Sequence, residues 1–180
     1  GPDGHNRVRH VRSIYFLDRR YWVLIDRALP LDDQAHCYES LFHLNNDPSE
    51  VTVQGQRVLT RRSDGPNLMI VVAQRQNQGL SVVAGQREPV LRGWRPDTRG
   101  PTVTPCPTVC LSQHSTGDAV FAAIFYPLEQ GQDPPQSSLN VVEADREKVC
   151  LEVRVDGHAA RHVCDPLEVA LDEQHELEGP

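Results

Sequence analysis

Turn signals interrupt this chain about every 8 to 15 residues, and the segments between them are short and rich in β-branched and aromatic side chains. No segment carries an apolar face at helical spacing for more than about two turns. A chain punctuated in this way has to bury its apolar residues by pairing strands. Residues 8–17 (VRHVRSIYFL) and 21–25 (YWVLI) flank the polar turn Asp18-Arg19-Arg20 and read as a hairpin whose second strand ends at Asp26. Residues 36–44 alternate, with Tyr38, Phe42 and Leu44 on one face and Glu39 and His43 on the other. Asn45-Asn46-Asp47-Pro48 ends that strand. Residues 51–60 (VTVQGQRVLT) form a tight hairpin with Gly55 at its turn. After the turn Ser63-Asp64-Gly65-Pro66, residues 68–74 read as a strand buried on both faces.

Residues 86–108, rich in Pro, Gly and Arg, are expected to form a long loop or edge segment holding Trp94. Residues 109–111 and 120–125 read as strands, the second closed by Pro127. Residues 131–138 (GQDPPQSS) look like a linker-like break. A last hairpin joins residues 149–155 to 159–164 through Asp156-Gly157, and the acidic tail beyond Pro166 is expected to fray. The expectation is an all-β antiparallel sandwich of two sheets. Residues 1–137 form its main portion, and residues 138–180 a terminal hairpin and tail in the same domain. The expected core includes Ile14, Phe16, Trp22, Leu24, Phe42, Leu44, Met69, Val71, Phe121 and Phe125.

A length of 180 residues suffices for one domain with a sizeable core. The start at Gly1-Pro2 rather than Met reads as that of a processed or excised piece. No apolar stretch approaches the ~20 residues of a membrane helix, so no membrane partner is expected. The net charge of −7 argues against nucleic acid as a partner. Lys148 is the only lysine among 18 basic residues. An arginine bias suits an anionic ligand, but genomic base composition explains it more simply.

Several groupings invite a chemical reading and fail it. Cys106, Cys110 and His114 stand at four-residue spacing, but Pro105 and Pro107 forbid the helix that would align them. His5, His10, His36 and His43 read as ordinary hydrogen-bonded sheet histidines. An odd count of 5 cysteines leaves at least one thiol unpaired within the chain. No Gly-x-Ser-x-Gly motif and no phosphate-binding loop occurs. Of the two tryptophans, Trp22 inside YWVLI is expected in the core. Trp94, between Gly93 and Arg95, is the candidate for stacking on a sugar ring.

Several runs together resemble the heparinase II/III-like polysaccharide lyases. His10 and Arg12 on a first strand, then Tyr21, Trp22 and a closing Asp26, match one family pattern; Phe42-His43-Leu44 matches a later strand end. Gly93-Trp94 before a Pro-rich stretch, and AVFAAIFYPL ending near Pro127, match others, so the resemblance spans residues 8–128. It implies the C-terminal β-sandwich region of an enzyme whose α-helical toroid precedes it, and which cleaves acidic polysaccharide by β-elimination. The family's reacting Tyr, Asn and His lie mainly in the toroid, and its His-x-His segment and zinc site at the start of the sandwich. His5-Asn6 resembles a His-Asn pair near that zinc site but stands too close to the His10 strand to be the same element. No residue here therefore inherits a catalytic role, and no cofactor is expected in this portion. Periplasmic or secreted localisation is implied for the parent protein. If the domain touches substrate, Arg9 and Arg12 on the first strand and Trp94 and Arg95 in the Pro-rich loop are the expected contacts, because the guanidinium fork matches carboxylate or sulfate oxygens. A free-standing carbohydrate-binding or cell-surface sandwich, and a self-contained enzyme, are the competing readings.

Overall fold

A computed structural model of the chain describes residues 7–96 and 100–167. Fourteen strands run in order: β1 (Val8–Leu17), β2 (Tyr21–Pro30), β3 (His36–His43), β4 (Val51–Gln54), β5 (Arg57–Thr60), β6 (Asn67–Val72), β7 (Gln78–Val83), β8 (Trp94–Pro96), β9 (Val103–Pro105), β10 (Thr108–Ser115), β11 (Ala119–Leu128), β12 (Ser137–Ala144), β13 (Lys148–Val155) and β14 (Arg161–Pro166). All pairings are antiparallel, and a single 3₁₀ turn, Pro48–Glu50, is the one helical element among the described residues.

Turn chemistry sets the hairpins. Asp18 and Arg19 both take positive φ, and Arg20 N donates to Leu17 O, which fixes the pairing of Leu17 with Tyr21 and of every residue behind them. Asp156 and Gly157 do the same between β13 and β14. Gly55, at φ +61°, turns β4 into β5.

The layers number three rather than the expected two. A six-stranded sheet, in the order β1-β2-β11-β6-β5-β4, lies in the middle. The sheet β3-β10-β7 covers one of its faces and β12-β13-β14 the other. The central strands are apolar on both sides, so each face needs its own cover. Val23, Ile25, Val71, Ala122 and Ile124 pack with Leu139, Val149 and Leu151 of the terminal sheet. Ile70, Val72, Phe121 and Ala123 pack with Tyr38, Val109 and Leu111 of the other.

Three members of the expected core are outside it: Ile14, Phe16 and Trp22 are 61%, 53% and 41% exposed. Strand β1 is the edge of the central sheet, and there Tyr15 and Leu17 are the residues that turn inward. Leu24, Leu44, Met69, Val71 and Phe121 are buried, and Phe42 and Phe125 half-buried. Two further strands, β7 and β12, lie where no strand is read from the sequence. Pro127 does not close β11 but sits within it, opposite Leu68. The pairing with β2 has ended by Phe125, so the missing N–H leaves no gap on that side.

The terminal sheet is tied down by polar groups as well. Arg27, fully buried, donates to the carbonyls of Asp145 at 3.0 Å and Arg146 at 2.9 Å, and its guanidinium lies 3.9 Å from Asp165. Tyr15 donates to Asp165 at 2.6 Å. Cys150 and Cys164, register partners on β13 and β14, form a disulfide. The acidic tail and His5-Asn6 lie outside the described residues.

Candidate functional site

The hairpin register brings Arg12 directly opposite Asp26, on the face turned toward the β3 sheet. Asp26 is 2% exposed. Arg12 grips its carboxylate with two parallel bonds, Nε to Oδ1 and Nη2 to Oδ2, both 2.6 Å. His10 Nε2 lies 3.1 Å from Oδ1, and the hydroxyl of Ser40 on β3 donates to Oδ2. Burial pushes the Asp26 carboxyl up, but the hydrogen bonds from Arg12 and Ser40, the Arg12 charge and the bond from His10 together hold it below the usual range. The carboxylate in turn holds the Arg12 guanidinium charged against its own partial desolvation. Arg12 also sits over the Phe42 ring, 5.6 Å from its centroid.

Beside this clasp lies a cavity of about 280 Å³, lined by His10, Asp26, His36, Cys37, Tyr38 and Glu39 among others. His36 Nε2 is 2.7 Å from Asp32 Oδ1. With Asp26 and Asp32 ionised, both imidazoles turn Nε2–H to a carboxylate and keep Nδ1 for another partner. Tyr38 is 5% exposed, yet its hydroxyl has no hydrogen-bond partner among the described residues. Burial, then the charges of Asp118 and Asp32, push that phenol up. The site therefore offers a guanidinium whose Nε and Nη2 are fixed in place and two oriented imidazoles, with the Tyr38 hydroxyl buried behind them. Such a set can hold a polar or anionic ligand by hydrogen bonds. A metal ion does not fit at Asp26, because both of its oxygens are already engaged by Arg12, Ser40 and His10.

The residues expected to contact substrate lie in three places. Arg12 is in the clasp. Arg9, an odd number of positions away, is exposed on the opposite face of β1. Trp94 is half-buried on β8, with Nε1 donating to Gln86 O at 2.7 Å and Arg87 stacked 4.9 Å from the ring. Arg95 donates to Thr104 Oγ1 at 3.3 Å and borders a separate open cavity of about 560 Å³ with Asn45, Asn46, Asp47 and Arg62. Trp94 is thus an anchored packing residue with one face already covered. Cys106 and Cys110 are buried while His114 is exposed, and no group of three or more His, Cys, Asp or Glu converges among the described residues.

No family model and no curated protein matches the sequence. Solved structures match over nearly the whole chain. Heparinase III superposes with a TM-score of 0.74 at 15% identity, covering 92% of this chain and 24% of that one. Heparan sulfate lyase HepC from Pedobacter heparinus superposes with a TM-score of 0.67 at 23% identity, covering 92% and 25%. The chain has a heparinase-type β-sandwich fold. It spans about a quarter of the length of the structures it matches. Within this heparinase-type fold the Arg12–Asp26 clasp bridges the central sheet and the sheet that covers it, since Ser40 reaches Asp26 from β3.

Proposed function

We propose that this chain is the non-catalytic β-sandwich portion of a polysaccharide lyase, lining one side of the cleft in which a uronate-containing chain is cleaved by β-elimination. The superposition on heparinase III over 92% of the chain carries the reading. In such a reaction a base removes the proton α to the uronate carboxylate, an acid protonates the leaving oxygen, and a neutralised carboxylate makes that proton removable. The base and acid belong to an α-helical toroid preceding the sandwich. The portion seen here supplies recognition. Arg12, already oriented, is the principal contact for carboxylate or sulfate; Arg95, at its separate cavity, is a second contact. No cofactor is assigned to this portion. The Cys150–Cys164 bond fits a periplasmic or secreted protein, because disulfides persist in oxidising compartments.

The test is turnover by the pure chain on heparan sulfate and on alginate, followed by the ultraviolet absorbance of unsaturated uronate ends. None is expected. Sustained turnover, abolished by His10→Ala or Tyr38→Phe, would instead make this chain an enzyme in its own right.

A further inference from the structure

Phe16 and Trp22 are register partners at the closed end of the β1–β2 hairpin, their rings stacked with centroids 4.8 Å apart. Ile14 stands two positions along the same face. All three are exposed although the neighbouring sheet β3-β10-β7 covers the rest of that face. The face of β1 that carries them also carries Arg12 and His10, since residues 10, 12, 14 and 16 share one side of a strand.

We propose that this aromatic shelf and the Arg12–His10 clasp are two parts of one binding track for an acidic oligosaccharide, running along β1 and ending in the cavity beside Tyr38. The choice of an acidic glycan as ligand rests on the lyase reading; the track itself rests on the geometry. From His10 to Phe16 the strand rises about 20 Å, room for several sugar units in extended form. A uronate chain presents carboxylates at its ring edges and polarised C–H groups on its ring faces. Arg12 suits the first: its Nε and Nη2 are bound to Asp26 and Ser40, while Nη1 has no partner among the described residues, so little freedom is lost on binding. Trp22 and Phe16 suit the second. At the far end Tyr38, its hydroxyl buried and without a partner among the described residues, borders the cavity where the sugar chain would end. A protein-docking patch is typically an apolar centre ringed by polar groups. Here apolar and charged groups follow one another along a single line, as the ligand's own groups do.

Calorimetric titration of the intact chain decides it, with an alginate disaccharide and an alginate oligosaccharide long enough to span β1. Trp22→Ala is expected to weaken binding of the long oligosaccharide about tenfold and to leave the disaccharide unchanged, with Trp22→Phe retaining most of the affinity. An unchanged urea midpoint establishes that the variants are folded. Equal affinity of wild type and Trp22→Ala for the long oligosaccharide overturns the track and leaves Arg12 as an isolated contact, with the lyase reading intact. No binding of either saccharide by wild type overturns the track; a concentration-dependent self-association lost in Trp22→Ala then makes the shelf a protein-docking face, with the lyase reading left to its own turnover test.

Discussion

Asp26 is the residue on which the clasp depends. Its carboxylate is buried, and it is tolerable there only because a guanidinium, a hydroxyl and an imidazole surround it. Removing Arg12 leaves that charge short of donors. With Arg12 partly exposed to water, Arg12→Ala is expected to destabilise the fold by about 2 kcal/mol at neutral pH, read as a shift of the urea midpoint. The sign with pH follows from the lowered folded-state pKa of Asp26. The stabilisation is complete above the unfolded carboxyl value of about 4 and is lost as pH falls through the lower folded value. The difference between wild type and Arg12→Ala should therefore shrink on acidification below about pH 4. A difference that grows there would mean Asp26 is not held ionised by Arg12. Tyr15 behaves oppositely. Burial, the bond to Asp165 and its charge raise its phenol to about 12, so its contribution is complete below the unfolded value of about 10 and is lost as pH rises through about 12. Alkaline titration by tyrosinate absorbance should show one fewer late-ionising phenol in Tyr15→Phe than in wild type, since burial also raises Tyr21 and Tyr38.

The strands and most of their turns were legible in the sequence, because alternation and turn residues act locally. The Asp18–Arg19 and Asp156–Gly157 turns and the Gly55 hairpin lie where turn chemistry puts them. What stayed hidden was which face of β1 points inward. Its two faces carry Ile14 and Phe16 on one side and Tyr15 and Leu17 on the other, both apolar, and alternation alone cannot choose between them. The choice is made by what covers the sheet, a non-local fact. Strands β7 and β12 are hidden because QGLSVV and SSLNVVEA are weak by themselves; β7 is completed by β10, distant in sequence, and β12 by its hairpin neighbour β13 and the central sheet beneath it. The site was half legible. Once the turn at Asp18–Arg19 is located, the register places Arg12 opposite Asp26, but Ser40 and Tyr38 come from β3 and depend on how the sheets stack. The orientation of β1 has a measurable consequence. Phe16→Ser should cost no more than about 0.5–1 kcal/mol, whereas Ile25→Ala on β2 should cost about 2–5 kcal/mol. Equal urea-midpoint losses would return the outer face of β1 to the core.

At the scale of the molecule, the central sheet is the common floor of two cores, and each covering sheet stabilises it from one side. The terminal sheet is thus as much part of the core as the strands before it. Buried Arg27 joins it to β2, so replacing Arg27 should strand Asp165 and the carbonyls of Asp145 and Arg146 without their donor. The opposite layer leaves the β1 face partly open, and there the charged and aromatic groups collect. That face, and not the other, is the one expected to meet an acidic glycan. The direct measurement is the affinity of the intact chain for heparan sulfate and alginate oligosaccharides at low and at physiological salt, in wild type, Arg12→Ala and Arg9→Ala. Binding that weakens with salt, is lost in Arg12→Ala and persists in Arg9→Ala is the predicted result. Affinity reduced equally by both substitutions, or no binding at either salt, would contradict it.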